Sequence, residues 1–252
     1  MINLKINNVP VSVEPGTTIL QAAKSIGIKI PTLCYLKDIN EIGACRVCVV
    51  EVKGARNLVA SCVYPVNEGM EVFTNSERVL QARKTTIELL LSNHRKECLS
   101  CERNTNCELQ TLAYEYGCDA NKYAGAMCTE PQDSSTEYLI RDNTKCVLCR
   151  RCVAMCNKVQ KIGVLGASER GFDTHIGCAF DMNLVNTPCI GCGQCVTVCP
   201  TGALREKDEI TRVKEALADS SKYVIVGSAP SVRAAIAEEF GNLHGMDCIE
   251  CG

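Results

Sequence analysis

The sequence of 252 residues has no tryptophan, 4% aromatic residues and three histidines. So little aromatic mass limits the apolar core that any part of the chain can build. Long apolar runs are missing too: even Tyr223-Val224-Ile225-Val226 is closed by Gly227-Ser228, far short of the roughly 18 residues of a membrane span. Contact with a membrane is therefore expected only through partners. The start, Met1-Ile2-Asn3-Leu4-Lys5-Ile6, alternates as a strand does and lacks the basic segment, apolar segment and cleavage site of a secretory leader, so a cytoplasmic location is expected. Net charge is −2, with no basic run or basic-aromatic stripe, which gives nucleic-acid binding no support. Nor is there a glycine-rich dinucleotide fingerprint, a P-loop or a nucleophile elbow. Gly163-Val164-Leu165-Gly166 and Gly191-Cys192-Gly193 are too isolated to cradle a phosphate, and Glu238-Glu239 has no titratable partner fixed nearby for acid–base work. A chain that catalyses a reaction by itself has little to build on.

Cysteine is what the chain has. It holds twenty, and fifteen fall into three spacing patterns, one of them joined by a histidine. A disulfide framework belongs to small secreted domains, whereas thiols in a reducing compartment stay free to bind metal. The expected class is α+β, in several small modules each stapled by a metal centre.

Residues 1–76 read as a small mixed sheet carrying one helix. Ile2, Leu4 and Ile6 alternate, Asn7-Asn8 offers a turn, and Val9, Val11 and Val13 resume the alternation, which is a hairpin signal. After Pro15-Gly16, Thr17 or Thr18 can cap a helix through Ile19, Leu20, Ala22, Ala23 and Ile26 that Gly27 ends. Strands are expected at Val47–Val52 and Leu58–Val63. Into this falls Cys34-x10-Cys45-x2-Cys48-x13-Cys62. One tight C-x2-C loop with two distant thiolates suits a rhombic [2Fe–2S] cluster, two ligands per iron, whereas zinc sites usually show two close pairs. Gly43-Ala44 let backbone N–H groups approach the sulfides. The element order resembles the β-grasp, or ubiquitin-like, sheet of plant-type ferredoxins. The first spacing is longer than theirs and resembles the N-terminal segment shared by the large iron–sulfur subunit of respiratory complex I and the iron-only hydrogenases.

Residues 77–125 read as helical, with Val79, Leu80, Arg83, Ile87, Leu90 and Leu91 at helical spacing and a capping box from Thr74 and Glu77. At the end of this helix stands His94-x3-Cys98-x2-Cys101-x5-Cys107. A lone histidine there would be read as a helix-end residue favoured by the dipole. Three cysteines with no near fourth change that reading, because a four-iron cubane needs four ligands and His94 is one turn from Cys98. Cys118 is the substitute. The string resembles the His-ligated [4Fe–4S] site of the same two families, and a neutral imidazole in place of a thiolate should raise the potential.

Residues 126–137 have no apolar period and read as a linker. In 138–208, Cys146-x2-Cys149-x2-Cys152-x3-Cys156 is repeated as Cys189-x2-Cys192-x2-Cys195-x3-Cys199-Pro200, the run of bacterial two-cluster ferredoxins, where the fourth cysteine serves the other cluster. Likeness to that domain assigns Cys146, Cys149, Cys152 and Cys199 to one [4Fe–4S] cubane and Cys189, Cys192, Cys195 and Cys156 to the other. Asn157 stands where the first run usually has proline, and about 32 residues separate the runs. Cys118, Cys128 and Cys178 read as buried thiols. Cys248-x2-Cys251 looks like half a metal site and is left unassigned.

The order of one [2Fe–2S], one His-ligated [4Fe–4S] and a two-cluster domain resembles the electron-input half of modular iron-only hydrogenases, including the large subunit of NAD(P)-linked, electron-bifurcating ones. Residues 209–252 resemble the opening of that family's catalytic domain, with a strand at Val224-Ile225-Val226 and a helix through Glu239-Phe240-Gly241. The family's Thr-Ser-Cys-Cys-Pro motif has no counterpart in the sequence, so the reading is a truncated arm or a stand-alone subunit with no catalytic residue of its own. The resemblance implies partners: a flavoprotein oxidising NAD(P)H, or ferredoxin, on one side, and a hydrogenase or formate dehydrogenase subunit on the other. A complex I-like dehydrogenase is the alternative setting. A regulatory sensor would leave three of the four clusters unexplained.

Overall fold

The hairpin expected at the start forms, and in this computed structural model, which describes residues 1–129 and 132–239, it opens the first of two compact units, 1–207 and 208–252. Strands β1 (Ile2–Ile6) and β2 (Val9–Val13) pair antiparallel from Ile2↔Val13 to Ile6↔Val9. Asn7 and Asn8 turn the chain at φ 49° and 67°, the left-handed pair that a two-residue loop between right-twisted strands requires. Helix α1 (Ile19–Ser25) begins at Thr18, whose hydroxyl accepts from the Gln21 N–H while the Gln21 side chain accepts from the Thr18 N–H. Gly27, at φ 77°, follows its end.

Strands β3 (Val49–Val52) and β4 (Val59–Ala60) are shorter than the apolar stretches that announce them, because those stretches run on into cysteine loops. Strand β5 (Glu71–Phe73) carries little apolar alternation and was not expected; it runs parallel to β1 and antiparallel to β3. The sheet order is β2-β1-β5-β3-β4. Leu4, Ile6, Ile19, Val50 and Val72 are buried beneath it, each worth about 1.5–3 kcal/mol of apolar burial.

Helix α2 (Glu77–Ser92) is capped by Ser76, which accepts from the Val79 N–H, and not by Thr74. Thr74 is engaged by the hairpin turn: its N–H donates to Asn7 Oδ1 at 2.8 Å and its hydroxyl accepts from Asn7 Nδ2 at 2.7 Å. Val79, Arg83, Ile87 and Leu91 form the buried stripe, while Leu80 is 43% exposed. Arg83 spans from α2 to β3, donating to the Val49 carbonyl at 2.7 Å. Helix α3 (Glu108–Glu115) packs against α2.

Beyond it, β6 (Leu139–Arg141) pairs antiparallel with β9 (Leu204–Glu206), drawing together the two ends of the paired cysteine runs. Helix α4 (Arg151–Ala154) passes into a π-helical turn, Met155–Val159, which carries Cys156; such turns are rare and recur at functional sites. A small hairpin, β7 (Gly166–Ser168) with β8 (His175–Gly177), occupies the insertion, and α5 (Gln194–Thr197) follows the second run's loop. The stretch read as a linker is partly packed: Asp133 and Thr136 are buried, and Asp133 exchanges two backbone hydrogen bonds with Arg141 at 2.8 and 2.9 Å.

In the second unit α6 (Ile210–Ala218) and α7 (Pro230–Glu239) are described, the latter with proline at its first position, where a missing N–H costs nothing. No strand forms at Val224–Val226, and Ile225 is 88% exposed. Among the described residues of this unit no strand offers it a ladder, and an unpaired strand has no hydrogen bonds to hold it. Phe240, Gly241, Cys248 and Cys251 lie outside the described residues.

Candidate metal centres

Cys34, Cys45, Cys48 and Cys62 are all buried, on loops at one end of the five-stranded sheet. They stand in two couples. The Cys48 and Cys62 sulfurs are 3.3 Å apart, and the Cys45 thiol donates to Cys34. The donated hydrogen bond, helped by the N–H groups of Cys45 and Ala44, draws Cys34 down to about 6, and Cys62 does the same for Cys48, to about 7. Their partners Cys45 and Cys62 are pushed up, first by holding the shared proton and then by burial. Each couple thus holds one proton between its two sulfurs. Gly43 makes the loop possible: it sits at φ 62°, and a Cβ there would meet Val63 at 3.0 Å.

His94 follows the end of α2, with its N–H on the Leu91 carbonyl at 3.2 Å. It is buried, and its Nδ1 has no hydrogen-bond partner. Burial, and then the charge of Lys145, holds the imidazole down to about 4, so the ring is neutral and presents a nitrogen with nothing bound to it, as a metal ligand must. Cys98 opens a 3₁₀ turn, Cys101 closes it with its N–H on the Cys98 carbonyl at 3.1 Å, and Cys107 caps α3. The Cys107 thiol is pushed up by burial and relieved by the N–H groups of Gln110 and Leu109 at the helix start. Cys118 is not brought to this group; its thiol lies 3.8 Å from the Lys84 carbonyl.

The paired runs sort into two enclosed cavities. One is lined by Cys146, Cys149, Cys152 and Cys199, with Ile176, Thr201 and Leu204. The other is lined by Cys189, Cys192, Cys195 and Cys156, with Leu139, Leu165 and Leu184. Burial drives Cys146 and Cys195 up to about 12 and Cys149 to about 11, with neighbouring thiols adding to the effect. Such thiols stay protonated until a cation displaces the proton. Backbone N–H groups turn inward to meet sulfur: Leu148 N–H donates to Cys146 Sγ at 3.4 Å and Arg151 N–H to Cys149. Donors, apolar walls and sets of four fit iron–sulfur clusters. Among the described residues no three Cys, His, Asp or Glu side chains close tightly enough for a single metal ion.

Known proteins share this layout. Residues 1–77 match a 2Fe-2S iron-sulfur cluster binding domain, 83–122 the NADH-ubiquinone oxidoreductase-G iron-sulfur binding region, and 145–203 a 4Fe-4S dicluster domain. The chain is 51% identical, over 97% of its length, to the NADP-reducing hydrogenase subunit HndD of Solidesulfovibrio fructosivorans, of which it covers 43%. It is 36% identical, over 82% of its length, to the NADPH-Fe(3+) oxidoreductase subunit alpha of Geobacter sulfurreducens, covering 24% of that protein. Against a chain of the crystal structure of NAD+-reducing [NiFe]-hydrogenase in the H2-reduced state, the TM-score is 0.76 at 30% identity, covering 82% of this chain and 87% of the other. This chain is an iron–sulfur electron-transfer member of the NAD(P)-linked hydrogenase and complex I-like oxidoreductase family. It spans less than half the length of the curated relatives named here.

Several residues of this family member pack or hydrogen-bond beside the cysteine sets without any signal in the cysteine spacing. Arg151, buried between Cys149 and Cys152, grips Glu108 with both guanidinium nitrogens at 2.6 and 2.9 Å, and Glu108 directly follows Cys107. Arg103 donates to the Cys199 carbonyl at 3.2 Å. Gly202 leaves room for Cys101: a Cβ there would stand 2.9 Å from its sulfur. Cys178 is a buried member of the apolar cluster around the paired runs, and Cys128 donates its N–H to Asn93 Oδ1 at 2.6 Å. No helix among the described residues is long and apolar enough to cross a membrane.

Proposed function

We propose that this chain relays single electrons through one [2Fe–2S] and three [4Fe–4S] clusters, between a flavoprotein subunit oxidising NAD(P)H, or ferredoxin, and a hydrogenase-type centre. In this reading the N-terminal domain is of the β-grasp ferredoxin type and Cys34, Cys45, Cys48 and Cys62 hold the two-iron centre. His94, Cys98, Cys101 and Cys107 hold the first cubane, and the crossed sets of the paired runs hold the other two. Bound there, the clusters supply one-electron storage. The protein supplies the rest: N–H donors that temper the charge on sulfur, apolar walls that keep water out, and a neutral imidazole that makes one centre easier to reduce than an all-thiolate neighbour.

The observation that carries this reading is the sorting of eight cysteines into two cavities, each with three from one run and the fourth from the other. Anaerobic reconstitution should give about fourteen iron atoms per chain, from one two-iron and three four-iron centres. A count near eight in folded protein would remove the two upstream centres. Cys156→Ser should destroy or convert the centre of Cys189, Cys192 and Cys195 and spare its neighbour; equal loss of both electron paramagnetic resonance signals would count against crossed ligation. The loaded chain should accept electrons from dithionite and pass them to an artificial acceptor without evolving H2.

A further inference from the structure

Asn40 lies on a loop of the N-terminal domain and is 2% exposed. Its backbone is pinned by its own turn, with Asn40 N–H on the Leu36 carbonyl at 2.8 Å and Leu36 N–H on the Asn40 carbonyl at 3.0 Å. The side chain then reaches out of the domain. Its Nδ2 donates to the Cys34 carbonyl at 2.8 Å and to the Cys149 carbonyl at 3.0 Å. Both acceptors are carbonyls, so the amide must present its NH2 end to both and uses each of its two protons once. A carboxylate in the same shape has no proton to give, and a hydroxyl has one.

Those two carbonyls belong to ligands of different centres, Cys34 of the two-iron site and Cys149 of the cubane of Cys146, Cys152 and Cys199. The surroundings are continuous, since Leu33, Cys34, Cys45, Val147 and Cys149 belong to one buried apolar cluster. Cys149 is also flanked by two left-handed residues, Leu148 and Arg150 at φ 53° and 61°, so its carbonyl is held in a strained loop and Asn40 supplies its donor. Lys158, from the π-helical turn, fastens the loop of Asn40 a second time through the Ile39 carbonyl at 2.7 Å.

We propose that Asn40 is a positioning residue for electron exchange: its single NH2 group clamps the backbones of Cys34 and Cys149, fixing the distance between the two-iron centre and that cubane and forming the hydrogen-bonded connection between them. The exchange is one electron leaving the reduced centre at Cys34 and entering the oxidised centre at Cys149. This rests on the ligand assignments proposed above.

The test uses the full chain, reconstituted anaerobically, as wild type and as Asn40→Leu, which keeps the bulk and removes both donors. Pulse radiolysis supplies the electron and spectra follow its redistribution between the two centres; spin–spin broadening in the fully reduced protein reports their separation. Two buried carbonyls left without donors disfavour the clamped arrangement by about tenfold or more, so exchange should slow and broadening should weaken while iron content and the spectrum of each centre stay as in wild type. Unchanged exchange and broadening in a fully loaded Asn40→Leu would overturn the role of Asn40 and leave the ligand assignments standing. A wild type lacking either centre would overturn both. If the leucine variant does not fold, Asn40→Ser, with one donor and room for water, must show the same slowing, and wild-type behaviour in it overturns the proposal.

Discussion

Leu148 and Arg150 hold left-handed backbone at φ 53° and 61° on either side of Cys149, and Gly191 and Gly193 do the same at 65° and 70° around Cys192. The repeat is in conformation and not in residue type. Wrapping three thiols around one cavity demands the bend twice, and the first run meets it with side chains that cost about 1–2 kcal/mol each in that region, whereas the second avoids the cost with glycine. Gly193→Ala, with nothing within 4 Å of the new methyl, should therefore destabilise by about 1–2 kcal/mol through the backbone alone. Gly191→Ala should cost more, since its Cβ would stand 3.1 Å from the Tyr138 ring. Anaerobic urea midpoints of the two variants test the order. His94→Cys should keep a cubane but lower its potential by on the order of 100 mV; an unchanged redox titration would rule out the imidazole as a ligand. Cysteine positions were legible because spacing is a local property of the chain. Gly202 and Arg151 were not, because their meaning depends on Cys101 and Glu108, which sequence alone does not set beside them.

Among the elements, the hairpin, α1 and α2 could be read because apolar period and turn residues agree. Strand β5 could not: three residues paired to β1 and β3 owe their form to the ladders on each side. The cap of α2 is not legible in the sequence for a related reason, since Thr74 has the right chemistry but is engaged by Asn7. The segment expected to be a linker conceals a clasp. Asp133 accepts from the Ser135 N–H at 3.1 Å and the Leu184 N–H at 2.9 Å and pairs with Arg141 at 3.3 Å, while Arg141 reaches the Ile176 carbonyl at 2.9 Å. Burial works against ionisation of Asp133, but these hydrogen bonds and the arginine's charge outweigh it and hold the carboxyl below its usual range. Its contribution to stability is then complete above about pH 4, the unfolded value, and lost as pH falls through the lower folded one. Asp133→Asn should be less stable than wild type at pH 7, and the gap in thermal midpoint should narrow below about pH 4. A gap constant with pH would mean that the charge contributes nothing.

At the scale of the first unit, residues 1–207, the cysteine-bearing modules visible in the sequence are not separable bodies. The His94 region borrows from residues far downstream: Arg95 N–H donates to the Thr144 carbonyl at 2.9 Å, Glu108 N–H to the Pro200 carbonyl at 3.0 Å, and Arg205 pairs with Glu102. Gly202→Ala, lying in the paired-run domain, should therefore damage the upstream centre, leaving about ten of the fourteen irons proposed for the loaded chain while the two-iron signal survives. Full iron in that variant would mean that Cys101 has room to move.

The contact between Gly202 and Cys101 also sets a timetable. A ribosome delivers Cys101 first and must add 101 more residues before Gly202 exists to close over it. At about 5–20 residues per second that is on the order of 5–20 seconds in which the thiols of this loop stand open. If this loop holds a cluster as proposed, iron arriving within that interval meets an uncovered site, whereas oxygen arriving first meets bare thiols.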